Sequence, residues 1–189
     1  MTKRFMVIVF AGLPGSGKST LAQLLATKLP AVLLNKDIIR AALFAADQVE
    51  YSGRQNDFCM EILYTLADYH LKYFPERHII IDGRTFSRKH HVTRLLERAA
   101  GWTIPWAFIE CQASLETLQR RVSADAENHL AADRTADLVK RSYGEQDSFE
   151  LERLVIPTDS LSVDQAFERV WEYVQKQMKI SPIQSQSSM

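Results

Sequence analysis

Residues 7–26 read VIVFAGLPGSGKSTLAQLLA: an apolar run stops at Gly12, turns through Pro14, Gly15 and Gly17, and resumes as a helical pattern. Gly12 to Ser19 fit G-x-x-x-x-G-K-[ST], and Thr20 follows. Glycines let the backbone wrap an anion so that successive N–H groups converge on it. A helix starting near Lys18 adds the positive end of its dipole. Lys18 is then placed for the β- and γ-phosphates, and the Ser19 hydroxyl for Mg²⁺. A strand-to-helix turn that binds nothing is the alternative. Eight matching positions between a strand and a helix favour a nucleoside triphosphate. The candidate nucleotide-binding residues are therefore Gly12, Pro14, Gly15, Ser16, Gly17, Lys18, Ser19 and Thr20.

Outward from this stretch, apolar runs at 31–35, 78–82, 104–111 and, more weakly, 153–158 join the first at 5–11 as candidate buried strands. Helical spacing falls at 18–29, 37–46, 55–73, 88–100, 114–126, 134–149 and 163–178. Strands that are apolar on both faces, with helices between them, imply a three-layer α/β fold around a parallel sheet. The chain has 189 residues, 46% hydrophobic and 24% charged, which suits one domain with one sizeable core. That domain is expected over 1–180, with a disordered tail, SPIQSQSSM, at 181–189 where apolar anchors are lacking.

The 23 basic and 23 acidic residues cancel, so no global field draws nucleic acid or an anionic membrane, and a small-molecule partner is favoured. Cys59 and Cys111 stand in unlike contexts without metal-ligand spacing, which points to a reducing, cytoplasmic setting. No run approaches the roughly 20 apolar residues that cross a bilayer. The opening MTKRFMVIVFAG imitates a signal peptide but leads into the glycine turn instead of a small-residue cleavage site.

Two carboxylates complete the chemistry. In LLNKDIIRAALF (33–44), Asp37 follows the second strand's C-terminal end, where ligands gather in open α/β sheets. Asp37 and Arg40, three apart, share a helix face. The carboxylate could accept a proton from an acceptor hydroxyl while Arg40 orients the acceptor or steadies a phosphoryl oxygen. Equally, Asp37 could cap the helix and Arg40 be solvated. In HIIIDGR (78–84), Asp82 sits at a strand tip, as the aspartate that holds Mg²⁺ does in P-loop folds, or as a plain Asp-Gly turn would.

Over roughly residues 5–175 the pattern resembles the small P-loop kinases grouped around the kinase domain of bacteriophage-type polynucleotide kinase, adenylylsulfate kinase, gluconate kinase and antibiotic phosphotransferases. GLPGSGKSTLA is similar to that group's nucleotide loop, NKDIIR to its N-x-D-x-x-R segment, and IIIDGRTFSRKHHVTRL to its strand-Asp stretch. The resemblance implies a five-stranded parallel sheet in the order 2-3-1-4-5, ATP as the nucleotide, Asp37 as general base, Arg40 touching the acceptor and Asp82 at the metal. It also implies a helical lid, about 120–143, with two arginines over the transferred group. Arg121, or its neighbour Arg120, fits the first. Asp125 stands where the second is expected, so Arg134 is the candidate replacement. Both could instead be ordinary exposed helix arginines.

YSGRQNDF (51–58) is expected to link two helices beside the acceptor pocket, Arg54 and Asn56 resembling, one residue out of step, an R-x-x-N pair of adenylylsulfate kinases, or to be a solvated loop. RTFSRKHHVTRLLER (84–98) reads as a solvated basic face before it reads as an anion site. Trp102 and Trp106 read as packing residues. Asn35-Lys36-Asp37 lacks both the spacing and the place of a guanine signal. The reading is an ATP- and Mg²⁺-dependent transfer of the γ-phosphoryl to a hydroxyl of a small molecule. A polynucleotide 5′-hydroxyl kinase, a slow ATPase that regulates a partner, and a decayed kinase are the rivals.

Overall fold

The run before the glycine turn is a strand sealed on both faces. The computed structural model describes residues 5–125 and 135–179, and in it β1 (Val7–Ala11) is buried throughout. Alternate side chains enter different layers, as period two demands. Met6, Ile8 and Phe10 pack with Leu21 and Leu25 of α1 (Lys18–Lys28) and with Val170 and Val174 of α7 (Val163–Lys179). Val7, Val9 and Ala11 pack on the opposite face with Met60 and Leu63 of α3 (Gly53–Tyr73) and Val92 and Leu95 of α4 (Lys89–Ala99). Each such fully buried aliphatic side chain contributes about 1.5–3 kcal/mol relative to exposure.

Flanking β1 are β3 (His78–Arg84) and β4 (Trp106–Gln112), and outside these lie β2 (Ala31–Asn35) and β5 (Leu154–Pro157). All pairings are parallel, and the order β2-β3-β1-β4-β5 is the expected one. Two further helices, α5 (Leu115–Ala124) and α6 (Ala136–Gly144), close a small cluster of Leu118, Val122 and Val139 over Leu13 of the glycine turn. The proposed lid thus rests directly on the nucleotide loop. Arg134, the middle of that lid and the tail at 181–189 lie outside the described residues.

Several element boundaries differ from expectation, and three of the differences have a local reason. α2 covers Lys36–Leu43 instead of 37–46, because Asn35 caps it one residue early: its Oδ1 accepts the N–H groups of Asp37 and Ile38 at 2.9 and 3.1 Å. α3 starts at Gly53 under a Ser52 cap, so Arg54 to Asn56 form a helical first turn and not a connecting loop. α6 stops at Gly144 instead of 149. Beyond it the chain is tied to the β3–α4 connection, where the Asp147 N–H bonds Ser87 O at 2.9 Å and the Asp147 carboxylate accepts the first N–H of α4, Lys89, at 2.9 Å. Among the described residues no helix is long and apolar enough to cross a membrane, and both cysteines are buried and unpaired.

Candidate active site

The glycine turn has the backbone that its composition requires. Gly12 adopts φ +141°, and a Cβ there would lie 2.4 Å from Cys111 O and 2.5 Å from Ser16 Oγ. No other residue fits so close an approach without displacing β4. Gly17 takes φ 82° as the N-cap of α1 and has no side-chain cap, so the first N–H groups of the helix are left for a ligand. Lys18, Ser19 and Thr20 continue from it into a cavity of about 570 Å³. Gly15 and Gly17 line the same cavity, together with Asn35, Asp37 and Tyr51 on one side and Thr158, Leu161, Ser162 and Val163 on another.

Asp82 lies behind this cavity, with no exposed surface. A register shift between β1 and β3 opposes Val9 to Ile81 and Ala11 to Arg84, so the extra residue falls at Asp82-Gly83, where Gly83 takes φ +123°. Bulges of this kind re-aim a side chain. Asp82 Oδ2 accepts from Asn35 Nδ2 at 2.6 Å, across the Asn35–Asp82 pair of the β2–β3 ladder. Burial raises its pKa above the usual carboxylate range; the charge of Lys18 and the nearby Ser19 hydroxyl oppose that shift. Its other oxygen, Oδ1, is buried with no hydrogen-bond partner. A desolvated carboxylate beside a P-loop serine, with one oxygen unanswered, is the donor set a hard divalent cation takes. Ser19 and Asp82 therefore fit Mg²⁺.

The side of the cavity that carries Asp37 is built from α2 and α3. Asn35, not Asp37, caps α2, which releases the Asp37 carboxylate to the cavity. Arg40 is buried to 1% exposure and so is not the solvated side chain weighed above. It donates to Asp37 Oδ1 and to Asn56 Oδ1, and its guanidinium lies 5.2 Å from the Tyr51 ring centroid. Lys36, at 2% exposure, donates to the same Asn56 Oδ1 at 2.7 Å, stands 3.7 Å from Asp37 Oδ1 and lies 4.6 Å from the Tyr51 centroid. Burial pushes the Lys36 ammonium down to about 7; Asp37 opposes this, while Arg40, Lys18 and Arg84 add to it. Asp37 reaches the cavity, whereas Arg40 and Lys36 lie behind it and do not line it.

On the α5 side the cavity is lined by an arginine. Arg121 lines the cavity, and Arg120 is exposed. Arg121 Nη1 donates to Gly15 O at 3.1 Å and Thr158 Oγ1 at 3.0 Å, and Nη2 to Thr158 O at 2.9 Å. Thr158 in turn lies 2.9 Å, through Oγ1, from Ser16 O. One side chain thus ties the nucleotide loop, α5 and the turn after β5. Asp125, the departure in the lid, also lines the cavity.

A family model described as AAA domain, AAA_33, matches residues 7–145. The chain belongs to the AAA_33 family. A candidate kinase from Chloroflexus aurantiacus superposes with a TM-score of 0.69 at 23% identity, over 93% of this chain and 99% of its own. An APS kinase of Mycobacterium tuberculosis, solved in complex with AMPPNP and APS, gives 0.66 at 18% identity over 92% and 99%. A sugar kinase from Janibacter sp. gives 0.61 at 17% identity over 95% and 97%. At such identities the likeness is one of fold, an α/β P-loop NTPase fold. No curated protein matches the chain significantly.

Several polar residues escape a reading of motifs. Asn35 carries the local signal of a cap before a helix, and Thr158 that of a polar residue at a strand's C-terminal tip. Lys36 carries none, being one lysine on an amphipathic helix. The basic segment 84–98 resolves into ion pairs: Arg84 with Asp57, Arg88 with Glu145, Arg94 with Glu61 and Glu97, and Arg98 with Glu61 and Asp68. Arg54 is an exposed partner of Glu50. Trp102 packs in the core and donates Nε1–H to Asp68 at 3.0 Å.

Proposed function

We propose that this AAA_33 protein transfers the γ-phosphoryl of ATP to a hydroxyl group of a small-molecule acceptor. One observation carries the reading: the P-loop residues Lys18 and Ser19 and the carboxylate of Asp37 line a single cavity. A nucleotide pocket alone would need no second carboxylate facing the phosphate end.

In this reading the backbone N–H groups of 12–20 and Lys18 take up the phosphate charge, and the Arg121 side carries the adenine end beside Leu161 and Val163. Ser19 and Asp82 would hold Mg²⁺, which would supply positive charge against the phosphates. Asp37 accepts the proton of the acceptor hydroxyl as its oxygen bonds to phosphorus and the bond to the bridging oxygen breaks, leaving ADP. Arg40 acts from behind, holding Asp37 by a charge-assisted hydrogen bond. Arg134 is kept as a second lid cation on the strength of the family resemblance alone. Most of the rate then comes from positioning and electrostatics.

The chain's charge balance and the ion-paired basic segment support a small acceptor over a polynucleotide. Incubation with radiolabelled ATP and pooled metabolites, aminoglycosides, nucleosides and 5′-hydroxyl oligonucleotides tests the proposal, with a labelled product expected from one pool. Asp37→Asn should keep nucleotide affinity and lower transfer by about 10² or more. Slow hydrolysis unaffected by that change, with no labelled product in any pool, would identify a nucleotide-dependent regulator instead.

A further inference from the structure

Asn56 touches neither nucleotide loop nor cavity, yet its amide oxygen is where the two cations nearest Asp37 meet. We propose that Asn56 is a positioning residue for Asp37: its Oδ1 anchors Lys36 and Arg40, and through them fixes the carboxylate that takes the acceptor proton. The inference rests on Asp37 being the base.

The geometry is economical in acceptors. An amide oxygen has two lone pairs, and both are used, by Lys36 Nζ at 2.7 Å and by Arg40 Nη2. The two donors are 2% and 1% exposed, so water does not replace a lost partner. Their other shared polar contact is Asp37 Oδ1. Arg40 Nε already lies buried with no partner. Removing the Asn56 oxygen therefore leaves two buried cations competing for the one carboxylate, which must turn toward them and away from the cavity.

Beyond the two cations the Asn56 side chain makes one long hydrogen bond, and losing it leaves the start of α3 in place. The Asn56 backbone N–H bonds Ser52 O at 2.9 Å, and the cap of α3 is the Ser52 hydroxyl on the Gln55 N–H. The side-chain Nδ2 reaches only Tyr51 O, at 3.4 Å. An alanine at 56 thus keeps the helix start. A neutral oxygen also suits the place, because it holds the cations without competing for the charge of Asp37.

The test uses the full chain and ATP hydrolysis, with water in the acceptor's place, on the parent, Asn56→Ala, Asn56→Asp, Asp37→Asn and the Asp37→Asn/Asn56→Ala double variant. Asn56→Ala should lower turnover about tenfold while KM for ATP and AMPPNP affinity stay within about twofold. Asn56→Asp, which restores an oxygen, should retain severalfold more turnover than Asn56→Ala. The double variant should be no slower than Asp37→Asn alone, since a positioning residue has nothing left to position. Additive losses, or losses that follow melting temperature across the set, would overturn the inference. A parent and Asp37→Asn of equal turnover would instead overturn the base assignment on which it stands.

Discussion

Gly83→Ala should disable transfer by moving α2 while leaving the nucleotide loop alone. Two costs add. Alanine at φ +123° stores roughly 1–3 kcal/mol of backbone strain. The new Cβ would also lie 2.4 Å from Lys36 Cβ, about an ångström inside ordinary carbon contact, and 3.0 Å from Lys36 N. The first turn of α2 cannot yield freely, because Asn35 is bonded to Asp82 and Lys36 to Asn56. Overpacking of this kind costs about 1–3 kcal/mol, so the sum is ~2–6 kcal/mol and the fall in Tm roughly 4–24 °C for a chain of this size. Urea denaturation gives the free energy. Calorimetric AMPPNP titration and ATP turnover, both below the new Tm, separate the effects: affinity should hold within about threefold while turnover falls by about ten. Gly53→Ala is the control, with nothing within 4 Å of its Cβ at the start of α3, and should be neutral or stabilising by up to ~1 kcal/mol. A Gly83→Ala protein within 1 kcal/mol of the parent, with parental turnover, would refute the claim that β3 sets the place of Asp37 through this glycine.

Asp82→Asn should raise the melting temperature of the nucleotide-free protein, because it removes a desolvated carboxylate with an unanswered oxygen, and should abolish most of the Mg²⁺ dependence of AMPPNP binding seen by calorimetry. Lys36 is held down to about 7 in the folded chain against 10.5 unfolded, so the unfolded state binds the extra proton between those values and folding stability gains as pH rises through that window. Relative to Lys36→Met, the parent's urea-derived stability should therefore climb from pH 7 to 9 by up to about 1.4 kcal/mol per pH unit, and parallel curves would contradict the burial of a titrating amine. Arg121→Ala removes contacts to Gly15 and Thr158 and should weaken AMPPNP binding about tenfold or more, whereas Arg120→Ala should leave it unchanged.

What a motif can announce is what backbone chemistry dictates locally. Gly12 to Thr20 are legible because an anion cradle needs glycines at fixed offsets, and Asp82 because the end of a buried strand is where a carboxylate must stand to meet the cradle. The sheet was legible as parallel from apolar runs between helices, but its order came from family resemblance, since periodicity does not say which strands adjoin. The acceptor side is different in kind. Asp37 is held by Arg40 from its own helix, but the groups that fix both, Asn56 and Lys36, meet only when α3 packs on α2, and Arg121 reaches Gly15 across 106 positions of sequence. No spacing rule joins such pairs: Lys36 looks like an ordinary surface residue until its burial makes its hydrogen bonds obligatory, and Asn56 stands out only through a resemblance that sets it beside the acceptor, not under Lys36 and Arg40. The division has a consequence for how the protein can change. Substitutions in the first turn of α3 can alter what Asp37 faces without touching the glycine turn, so acceptor preference should be separable from nucleotide affinity by mutation at 54–58, and changes at 12–20 should lower nucleotide affinity without changing that preference.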